Sequence, residues 1–312
     1  MARFLITCFE EKGTTMARRF FIGLFISLGF IGAAILIFLL HLRISPHPQF
    51  ARYQRLPRCL DCETLQANNE PWLLSPADFD KKGIDDNFSR KMSKDEIKHY
   101  ADLLRKFDEL CEKADLTYFL CGGTLLGSYR HFGFIPWDDD VDVMVAHVDK
   151  NKTLKALSVP GYECVTDHHM RWKFSDKTDK LIGDLNWRWP FIDIIFYEEE
   201  SDNIWNIDKT RFADEIYKKD WVFPLTKRPF EGYWFYAPKN TTIFLESNMD
   251  LSTCVTSSWN HRHEHGFSQR YTRKCDELRP YYAFVDRTRM TNRTVKEALT
   301  LGSQVFEEVI FF

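Results

Sequence analysis

Residues Gly122 to Val145 read GGTLLGSYRHFGFIPWDDDVDVMV, a segment that joins a double-glycine turn to a carboxylate cluster leading into an apolar run. The apolar run 116–120 predicts a strand that the glycines end, and glycines there let backbone N–H groups approach a phosphate closely. In the run after the tryptophan, alternate side chains share one face of a strand, so acids at i and i+2 can hold a divalent cation or a close pair of cations. The segment therefore predicts a metal-dependent phosphoryl-transfer site. Its acids are Asp138, Asp139, Asp140 and Asp142.

Two other interpretations of these acids are open at the level of sequence. Asp138, Asp140 and Asp142 also fit positions 1, 3 and 5 of a calcium loop with Asp149 at position 12, but position 6 is Val143 where that loop needs glycine. A solvated acidic turn is the simplest alternative. It does not account for an acid inside an apolar run or for the glycines before it.

A further carboxylate is expected from a neighbouring strand if two metal ions are to be held. The run 189–197, WPFIDIIFY, has one acid, Asp193, in the middle of an apolar strand. A lone buried carboxylate is costly unless it is paired or bound to a cation. Asp193 is therefore either a metal ligand or the partner of an arginine such as Arg130 or Arg171.

At these residues the chain resembles the LicD/fukutin family of nucleotidyltransferase-fold proteins, whose hallmark is a GGTLLG segment followed by W-D-x-D-x-D. The resemblance is strong over residues 118–145, continues through PFIDIIFY, and is fainter at 223–225 and 237–240. It implies an α/β (α+β) fold in which flanking helices cover a nucleotidyltransferase-like mixed sheet. It also implies a Golgi or cell-envelope enzyme that moves a phospho-alcohol, such as phosphocholine or ribitol 5-phosphate, from a CDP-activated donor to a sugar hydroxyl.

The charges of such a reaction suggest roles for individual residues. Divalent Mg²⁺ or Mn²⁺ held by acids would neutralise the donor pyrophosphate and stabilise the leaving nucleotide. Gly122, Gly123 and Thr124 would cradle donor phosphates at the start of the next helix. Arg130 would clamp a phosphate or pair with an aspartate of the cluster, and Lys173 would reach donor phosphate or be an exposed strand lysine. The predicted catalytic and metal-binding acids are Asp138, Asp140, Asp142 and Asp193, one of which is also the candidate general base.

A late polar segment and one tryptophan provide candidate substrate contacts. His261, His263 and His265 alternate, so in a strand their imidazoles would face one way with zinc-ligand chemistry. A solvated loop or a substrate-contacting segment is the alternative. By resemblance to the family's late tryptophan-and-basic segment, His261 and Arg262 are candidate substrate contacts, and Trp137 is a third.

The N-terminal part predicts a type II membrane protein. Residues 20–42 form a nearly unbroken apolar run long enough to span a bilayer as a signal anchor. The prediction is a cytosolic tail at 1–19, a lumenal stem at 43–92 and a lumenal catalytic domain at 93–312 in the Golgi or endoplasmic reticulum, and the chain starts at Met1 or at Met16. Four N-glycosylation sequons support the lumenal orientation. They lie at Asn87, Asn151, Asn240 and Asn292.

Composition narrows the partners. The net charge of −3 gives no basic footprint, so nucleic acid is not an expected partner. The expected partners are a membrane, a nucleotide-activated donor, a glycan acceptor and other Golgi glycosyltransferases. Cysteines beyond residue 43 can form disulfides in an oxidising lumen, with Cys59 and Cys62 as stem candidates. A non-catalytic scaffold for glycosyltransferases and a true nucleotidyltransferase remain alternative functions.

Local patterns predict the main elements of the domain. Ser93 and Glu96 form a capping box before an apolar stripe to residue 113, which predicts a helix. Residues 153–157 read as helical, and 162–165, 171–174 and 191–197 read as strands. Interleaved strands and helices predict a mixed sheet covered on one face by helices. The end of the chain, 297–312, either packs as a last helix or replaces part of the domain.

Overall fold

The computed structural model of the chain describes residues 84–166, 170–267, 269–291 and 294–311. The predicted anchor at 20–42, the stem before residue 84 and the sequon at Asn292 lie outside these residues. Within them, no helix combines the length and apolarity that a membrane crossing requires. The predicted stem ends too late, because Phe88 and Met92 are buried and Phe88 packs edge-on against Trp137 with ring centroids 5.1 Å apart. The folded domain therefore includes residues before 93.

The capping box at the start of the first helix is formed as predicted. The backbone N–H of Ser93 donates to Glu96 Oε2 at 2.8 Å, and the N–H of Glu96 donates to Ser93 Oγ at 3.3 Å. These bonds satisfy donors that a helix start leaves unpaired. The helices are α1 Lys94–Lys113, α2 Gly122–His131, α3 Lys150–Leu157, α4 Lys219–Val222 and α5 Thr241–Glu246.

The strands follow the predicted positions closely in the first half of the domain. They are β1 Tyr118–Leu120, β2 Val141–Ala146, β3 Tyr162–Val165, β4 Arg171–Asp176, β5 Lys180–Leu181, β6 Arg188–Trp189, β7 Ile192–Glu200, β8 Asn203–Asn206 and β9 Ile216–Lys218. The second half contains β10 Thr226–Phe230, β11 Tyr233–Ala237, β12 Thr253–Val255, β13 Trp259–Asn260, β14 His265–Gly266, β15 Thr272–Lys274, β16 Phe284–Arg289, β17 Val295–Leu301 and β18 Gln304–Phe311.

The central sheet is mixed, as the sequence predicts. Its strands lie in the order β1-β2-β7-β4-β3, and β8 continues from β7 to β9. The β2 and β7 strands are parallel, whereas the other pairs are antiparallel. In the parallel pair Asp142 lies opposite Asp193. The two strands that carry the predicted acids are therefore neighbours, with those acids at matching positions on one face.

Helices pack against both faces of the sheet, so the prediction of helices on one face is wrong. On one face Phe107 of α1 contacts Tyr118 of β1, with ring centroids 5.1 Å apart. On the other face Phe119, the next residue in β1, contacts Phe244 of α5 at 6.1 Å. Successive residues of a strand point to opposite faces, so α1 and α5 lie on opposite sides. Both faces need cover because the strands are apolar on both.

The C-terminal segment forms strands, which corrects the prediction of a last helix. The β16, β17 and β18 strands form a three-stranded antiparallel sheet. A small cluster around Phe132, Val285, Leu299 and Val309 buries one face of this sheet against the domain. Cys254 and Cys275 form a disulfide that links β12 to the turn after β15. The segment is therefore an integral part of the folded domain.

Candidate active site

Asp193 lies at the centre of the site and is held by two cations. Its carboxylate is 1% exposed, accepts from Lys173 Nζ at 2.9 Å and pairs with Arg171 NH1 at 3.2 Å. Both cations are on β4, where Lys173 is the register partner of Asp193. Burial alone would lower the pKa of Arg171, but Asp193 and Asp142 raise it above its usual value. The expected arginine partner of Asp193 is therefore Arg171, and Arg130 is not part of the pair.

Asp142 is held through its backbone and leaves one carboxylate oxygen without a partner. Its N–H donates to Thr124 Oγ1 at 2.7 Å, so the Thr124 hydroxyl fixes the start of β2 against α2. Its Oδ1 is buried and accepts no hydrogen bond from the described residues. Burial, together with the charge of Asp140, raises the pKa of Asp142 well above its ordinary value. A buried carboxylate oxygen without a partner costs free energy that a bound cation would offset.

Asp138, Asp139 and Asp140 lie close to Asp142. Burial raises the pKa of Asp138 and of Asp140, and the two carboxylates act on each other. Asp139, Asp140 and Asp142 are less than a tenth exposed, which rules out the solvated acidic turn. Residues 141–146 form β2 rather than a loop, which rules out the calcium-loop alternative. Close buried carboxylates with raised pKa values are the usual mark of a functional site.

The glycine turn is pressed against these acids. A Cβ atom at Gly122 would lie 2.7 Å from Asp142 Oδ2, and one at Gly123 would lie 2.6 Å from Asp138 Oδ2. Gly122 also has a φ of 53°, a left-handed conformation that side chains disfavour. The N-terminus of α2 therefore reaches the carboxylate cluster because these two residues lack side chains.

A hairpin from the other end of the domain covers the cluster. The strands β13 and β14 pair with each other, and residues 261–264 form the turn between them. Asp139 accepts the backbone N–H of His261 at 3.3 Å and that of Arg262 at 3.1 Å. His261 Nδ1 lies 3.0 Å from Asp139 Oδ1, and its Nε2 lies 3.2 Å from Asp140 Oδ2. The hairpin is thus fixed onto the acids by Asp139, a residue that the sequence does not single out from its neighbours.

The same hairpin brings a counter-charge to Lys173. Glu264 Oε1 lies 3.3 Å from Lys173 Nζ, and Trp259 Nε1 donates to Glu264 Oε2 at 3.1 Å. Lys173 also lies over the ring of Phe191, 3.6 Å from its centroid. Lys173 is therefore neither an exposed strand lysine nor free in this structure; it joins Asp193 to the hairpin.

The charge of His261 follows from its surroundings. Burial would lower its pKa, but Asp140 and Asp139 outweigh burial and raise the pKa to about 10. Asp139 shows the reverse balance: burial raises its pKa, and the contacts with His261 and two backbone N–H groups bring it below its ordinary value. The neighbouring carboxylates therefore favour the charged form of His261.

Some predicted site residues serve the fold instead. Arg130 is buried and donates to the carbonyls of Leu251 and Thr253, both at 2.9 Å, so it fixes that segment and does not pair with the acids of the cluster. Trp137 is 2% exposed, donates to the Val255 carbonyl at 3.1 Å and packs in a core cluster. In this structure both side chains are therefore bonded to backbone carbonyls rather than to the acids of the cluster.

The alternating histidines do not share one strand face. His261 points to Asp139 and Asp140, whereas His263 and His265 are exposed and lie with ring centroids 6.1 Å apart. Arg262 points away from the acids: it pairs with Glu96 and lies over the ring of Trp189, 4.2 Å from its centroid. A three-histidine zinc site is therefore not formed, and Arg262 anchors the hairpin to α1.

We expect Gly122→Ala to reduce the rate of the reaction catalysed at this site by at least about tenfold, because the new Cβ would displace the Asp142 carboxylate. Gly183→Ala is the matched control: Gly183 has a φ of 52°, and a Cβ there has nothing within 4 Å. Both variants should lose about 1 to 2 kcal/mol of unfolding free energy from the left-handed backbone. Equal activities in the two variants would contradict the role of the close approach.

The geometry fits a divalent cation. Several buried carboxylates converge, Asp142 Oδ1 has no partner in the described chain, and carboxylate oxygens are the ligands that Mg²⁺ and Mn²⁺ prefer. One carboxylate or imidazole atom from each of Asp138, Asp139 and His261 also lies within 4.8 Å of the others, so an imidazole stands beside these acids. The site therefore has the charge and the ligand types for metal-assisted chemistry.

Comparisons with known proteins agree on one family. Residues 115–240 match the model of the LicD/FKTN/FKRP nucleotidyltransferase domain. The lipopolysaccharide cholinephosphotransferase LicD of Haemophilus influenzae is 58% identical over 41 residues, 13% of this chain and 16% of that protein. The human ribitol 5-phosphate transferase FKRP is 28% identical over 145 residues, 43% of this chain and 28% of that protein. The ribitol-5-phosphate transferase FKTN of Macaca fascicularis is 27% identical over 175 residues, 54% of this chain and 36% of that protein.

These matches are partial on both sides. The chain spans well under half the length of each of these three relatives. The solved structure of ANT(2″)-Ia in complex with adenylyl-2″-tobramycin aligns over 45% of this chain and 69% of that chain at 11% identity, with a TM-score of 0.32, too low to serve as evidence. The match over 115–240 includes the glycine turn, the acids of β2 and Asp193. Through residues 115–240, less than half of its length, the chain is distantly homologous to the LicD/FKTN/FKRP nucleotidyltransferase-domain family.

Proposed function

We propose that this protein transfers a phospho-alcohol, of the phosphocholine or ribitol 5-phosphate type, from a CDP-activated donor to a sugar hydroxyl of a glycoprotein or glycolipid glycan. The observation that carries the proposal is the pairing of Asp142 with Asp193 on adjacent parallel strands, with Asp138 and Asp140 beside them. The family relatives are a cholinephosphotransferase and ribitol 5-phosphate transferases. Their common chemistry is transfer of a phospho-alcohol, which suits a site rich in carboxylates.

Asp140, Asp142 and Asp193 would hold Mg²⁺ or Mn²⁺, and Asp138 would hold the cation or orient its ligands. A divalent cation there supplies charge neutralisation for the donor pyrophosphate and for the leaving CMP. Two side chains position these acids. Arg171 fixes the Asp193 carboxylate, and the Thr124 hydroxyl fixes the backbone at Asp142.

The N-terminus of α2 would receive the donor phosphates. Gly122 and Gly123 lie against the acids and start the helix, where backbone N–H groups and the helix dipole favour an anion. Thr124 Oγ1 accepts from the Asp142 N–H, so both its O–H and its backbone N–H would serve as donors to a phosphate. Lys173 is held by Asp193 and Glu264, and it would face donor phosphate only after the contact with Glu264 is broken.

The hairpin 259–266 would exclude water from the reacting groups. Its residues contact Asp139, Asp140 and Lys173 together, so it lies over the acids. A dry site strengthens every electrostatic contact with the transferred phosphoryl group. The acceptor hydroxyl must lose a proton, and an aspartate of the cluster is the candidate base.

The place of action that we propose is the Golgi or endoplasmic reticulum lumen, behind an anchor at residues 20–42. The sequons at Asn151 and Asn240 are exposed, and Asn87 is half-buried. A glycan can attach only where the asparagine is accessible, so Asn151 and Asn240 are the better acceptors. A shift in electrophoretic mobility after glycosidase treatment, lost in Asn151→Gln/Asn240→Gln, would support lumenal synthesis; no shift in the parent chain would argue against it.

The direct test is CMP release by the purified full chain from CDP-choline, CDP-ribitol and CDP-glycerol in the presence of Mn²⁺ or Mg²⁺ and mixed Golgi glycans. We expect release from one donor, sensitive to EDTA and absent from Asp140→Ala/Asp142→Ala. Silence with all donors from folded protein would favour the scaffold function instead. Labelled nucleotide on the acceptor, rather than labelled phospho-alcohol, would identify a true nucleotidyltransferase.

A further inference from the structure

The contact between His261 and the acids has the form of a metal ligand with its supporting carboxylate. The imidazole Nδ1 faces Asp139 Oδ1 at 3.0 Å, and the opposite nitrogen, Nε2, faces Asp140 Oδ2 at 3.2 Å. A histidine that binds a metal nearly always donates its other ring N–H to a carboxylate, which sets the tautomer and the ring direction. Asp139 supplies that carboxylate, and Nε2 lies 3.2 Å from Asp140, an acid of the proposed cation site.

Asp139 is suited to the supporting role and not to direct ligation. It already accepts from His261 Nδ1 and from the backbone N–H groups of His261 and Arg262. A carboxylate engaged by three donors has little capacity left for a cation. Asp140 and Asp142 differ, because Asp142 Oδ1 is buried with no partner in the described part of the chain.

The distances also fit a shared ion. Ligand atoms at roughly 2.0 to 2.2 Å from one ion lie roughly 3 Å or more from each other. His261 Nε2 and Asp140 Oδ2 are separated by 3.2 Å, so one cation can lie between them with little movement of either side chain. The imidazole comes from the hairpin and the carboxylate comes from the start of β2, so the ion would join two parts of the domain.

We propose that His261 Nε2 is a protein ligand of the catalytic cation, together with Asp140, and that Asp139 orients it. This inference rests on the proposed function in taking the acid cluster as a cation site. It adds a nitrogen to a ligand set otherwise made of oxygens, and nitrogen ligation suits transition ions, whereas Ca²⁺ takes oxygen ligands. The ion would then add a link between the hairpin and the start of β2, which already contact each other through Asp139 and Asp140.

The test uses Mn²⁺ alone as the probe on the purified full chain. Pulsed electron paramagnetic resonance of bound Mn²⁺ should show modulation from one directly bound imidazole nitrogen. In His261→Gln this modulation should vanish and the Kd for Mn²⁺ should rise by about 100-fold, while the Kd for Ca²⁺ changes by less than about threefold. Asp139→Asn should weaken Mn²⁺ binding by about tenfold and keep the modulation.

His263→Gln is the matched control, because His263 is exposed on the same hairpin turn. It should leave the modulation and the Mn²⁺ affinity unchanged. Bound Mn²⁺ without nitrogen modulation in the wild-type chain would overturn the proposal, and that spectrum decides even if His261→Gln does not fold. It would show that His261 is only a charged partner of the acids. Absence of Mn²⁺ binding up to about 10 mM would overturn it too.

The outcomes separate this inference from the proposed function. Nitrogen ligation without CMP release from any CDP donor would support the ligand assignment and reject the transferase. CMP release, together with a spectrum of bound Mn²⁺ that lacks nitrogen modulation, would support the transferase and reject the ligand assignment. Kinetics of His261→Gln give a further check. Direct ligation predicts that the metal concentration for half-maximal rate rises while the KM for donor stays constant. A merely structural loss would change both quantities.

Discussion

Asp142→Asn is expected to abolish phospho-alcohol transfer and to leave the fold at least as stable as the wild type. The substitution removes a ligand charge at the centre of the proposed cation site, so kcat/KM for CMP release should fall by at least about a thousandfold, or about 4 kcal/mol of transition-state stabilisation. It also removes a buried carboxylate whose Oδ1 has no partner among the described residues. Burial raises the pKa of this carboxyl, which means that its charged form is costly. The metal-free melting temperature should therefore stay level or rise.

Steady-state kinetics with Mn²⁺ and thermal unfolding in EDTA check the two halves of this expectation. Asp184→Asn is the control, because Asp184 is an exposed acid outside the cluster, and it should change neither quantity. A fall in melting temperature that matches the loss of activity would make Asp142 a structural residue. Retained turnover would remove Asp142 from the ligand set.

The parts of this domain that sequence predicts are those set by local signals. The capping box at Ser93 and Glu96 and the apolar stripe after it specify α1 from neighbouring residues alone. The acids of β2 and β7 are recognisable because charge inside an apolar strand is costly. Their adjacency needs one more fact, the parallel pairing of two strands far apart in sequence, which the structure supplies.

The errors have a common physical cause in long-range contacts. Arg130 meets carbonyls near residue 250, and Asp139 meets His261, so neither partner lies within reach of a sequence window. Trp137 looks like a site residue beside the acids, but its indole packs in a core built partly from residues after 275. Asp139 and Asp140 precede β2 and both contact His261, so no strand periodicity could assign their partner from the sequence.

Local signals in the C-terminal sequence predict strands, in contrast to the expectation of a last helix there. The runs 295–301 and 304–311 are separated by Gly302 and Ser303, a two-residue connection typical of a hairpin. Gly302 has a φ of 59°, which the turn requires and glycine provides. The apolar residues 309–312 are compatible with a packed helix, but the alternation of apolar and polar residues before them favours strands.

Glu297→Leu is expected to destabilise the domain by about 3 to 5 kcal/mol, which corresponds to a fall of about 10 °C in melting temperature. Glu297 on β17 accepts from Arg228 NH2 on β10 at 2.6 Å and from Arg287 Nε on β16 at 2.9 Å. Arg228 and Glu297 are each about 95% buried. Removing the carboxylate leaves two cations without their counter-charge, and an unpaired buried charge is far more costly than the pair is stabilising. Denaturant unfolding followed by circular dichroism measures the loss.

The double variant Arg228→Met/Glu297→Leu separates charge from packing. Because it removes the buried cation with its partner, it should recover at least half of the loss, whereas a loss due to packing would grow with the second substitution. Glu308→Gln is the matched control on β18, since its pair with Lys296 is half exposed and should contribute less than about 1 kcal/mol.

Through β10 the loss of the Glu297 carboxylate can also reach α2, because Ser128 Oγ donates to the Pro229 carbonyl at 2.8 Å. A Glu297→Leu protein as stable as the wild type would mean that the C-terminal sheet is docked by its apolar cluster alone, and that the glycine turn and its acids are held without it.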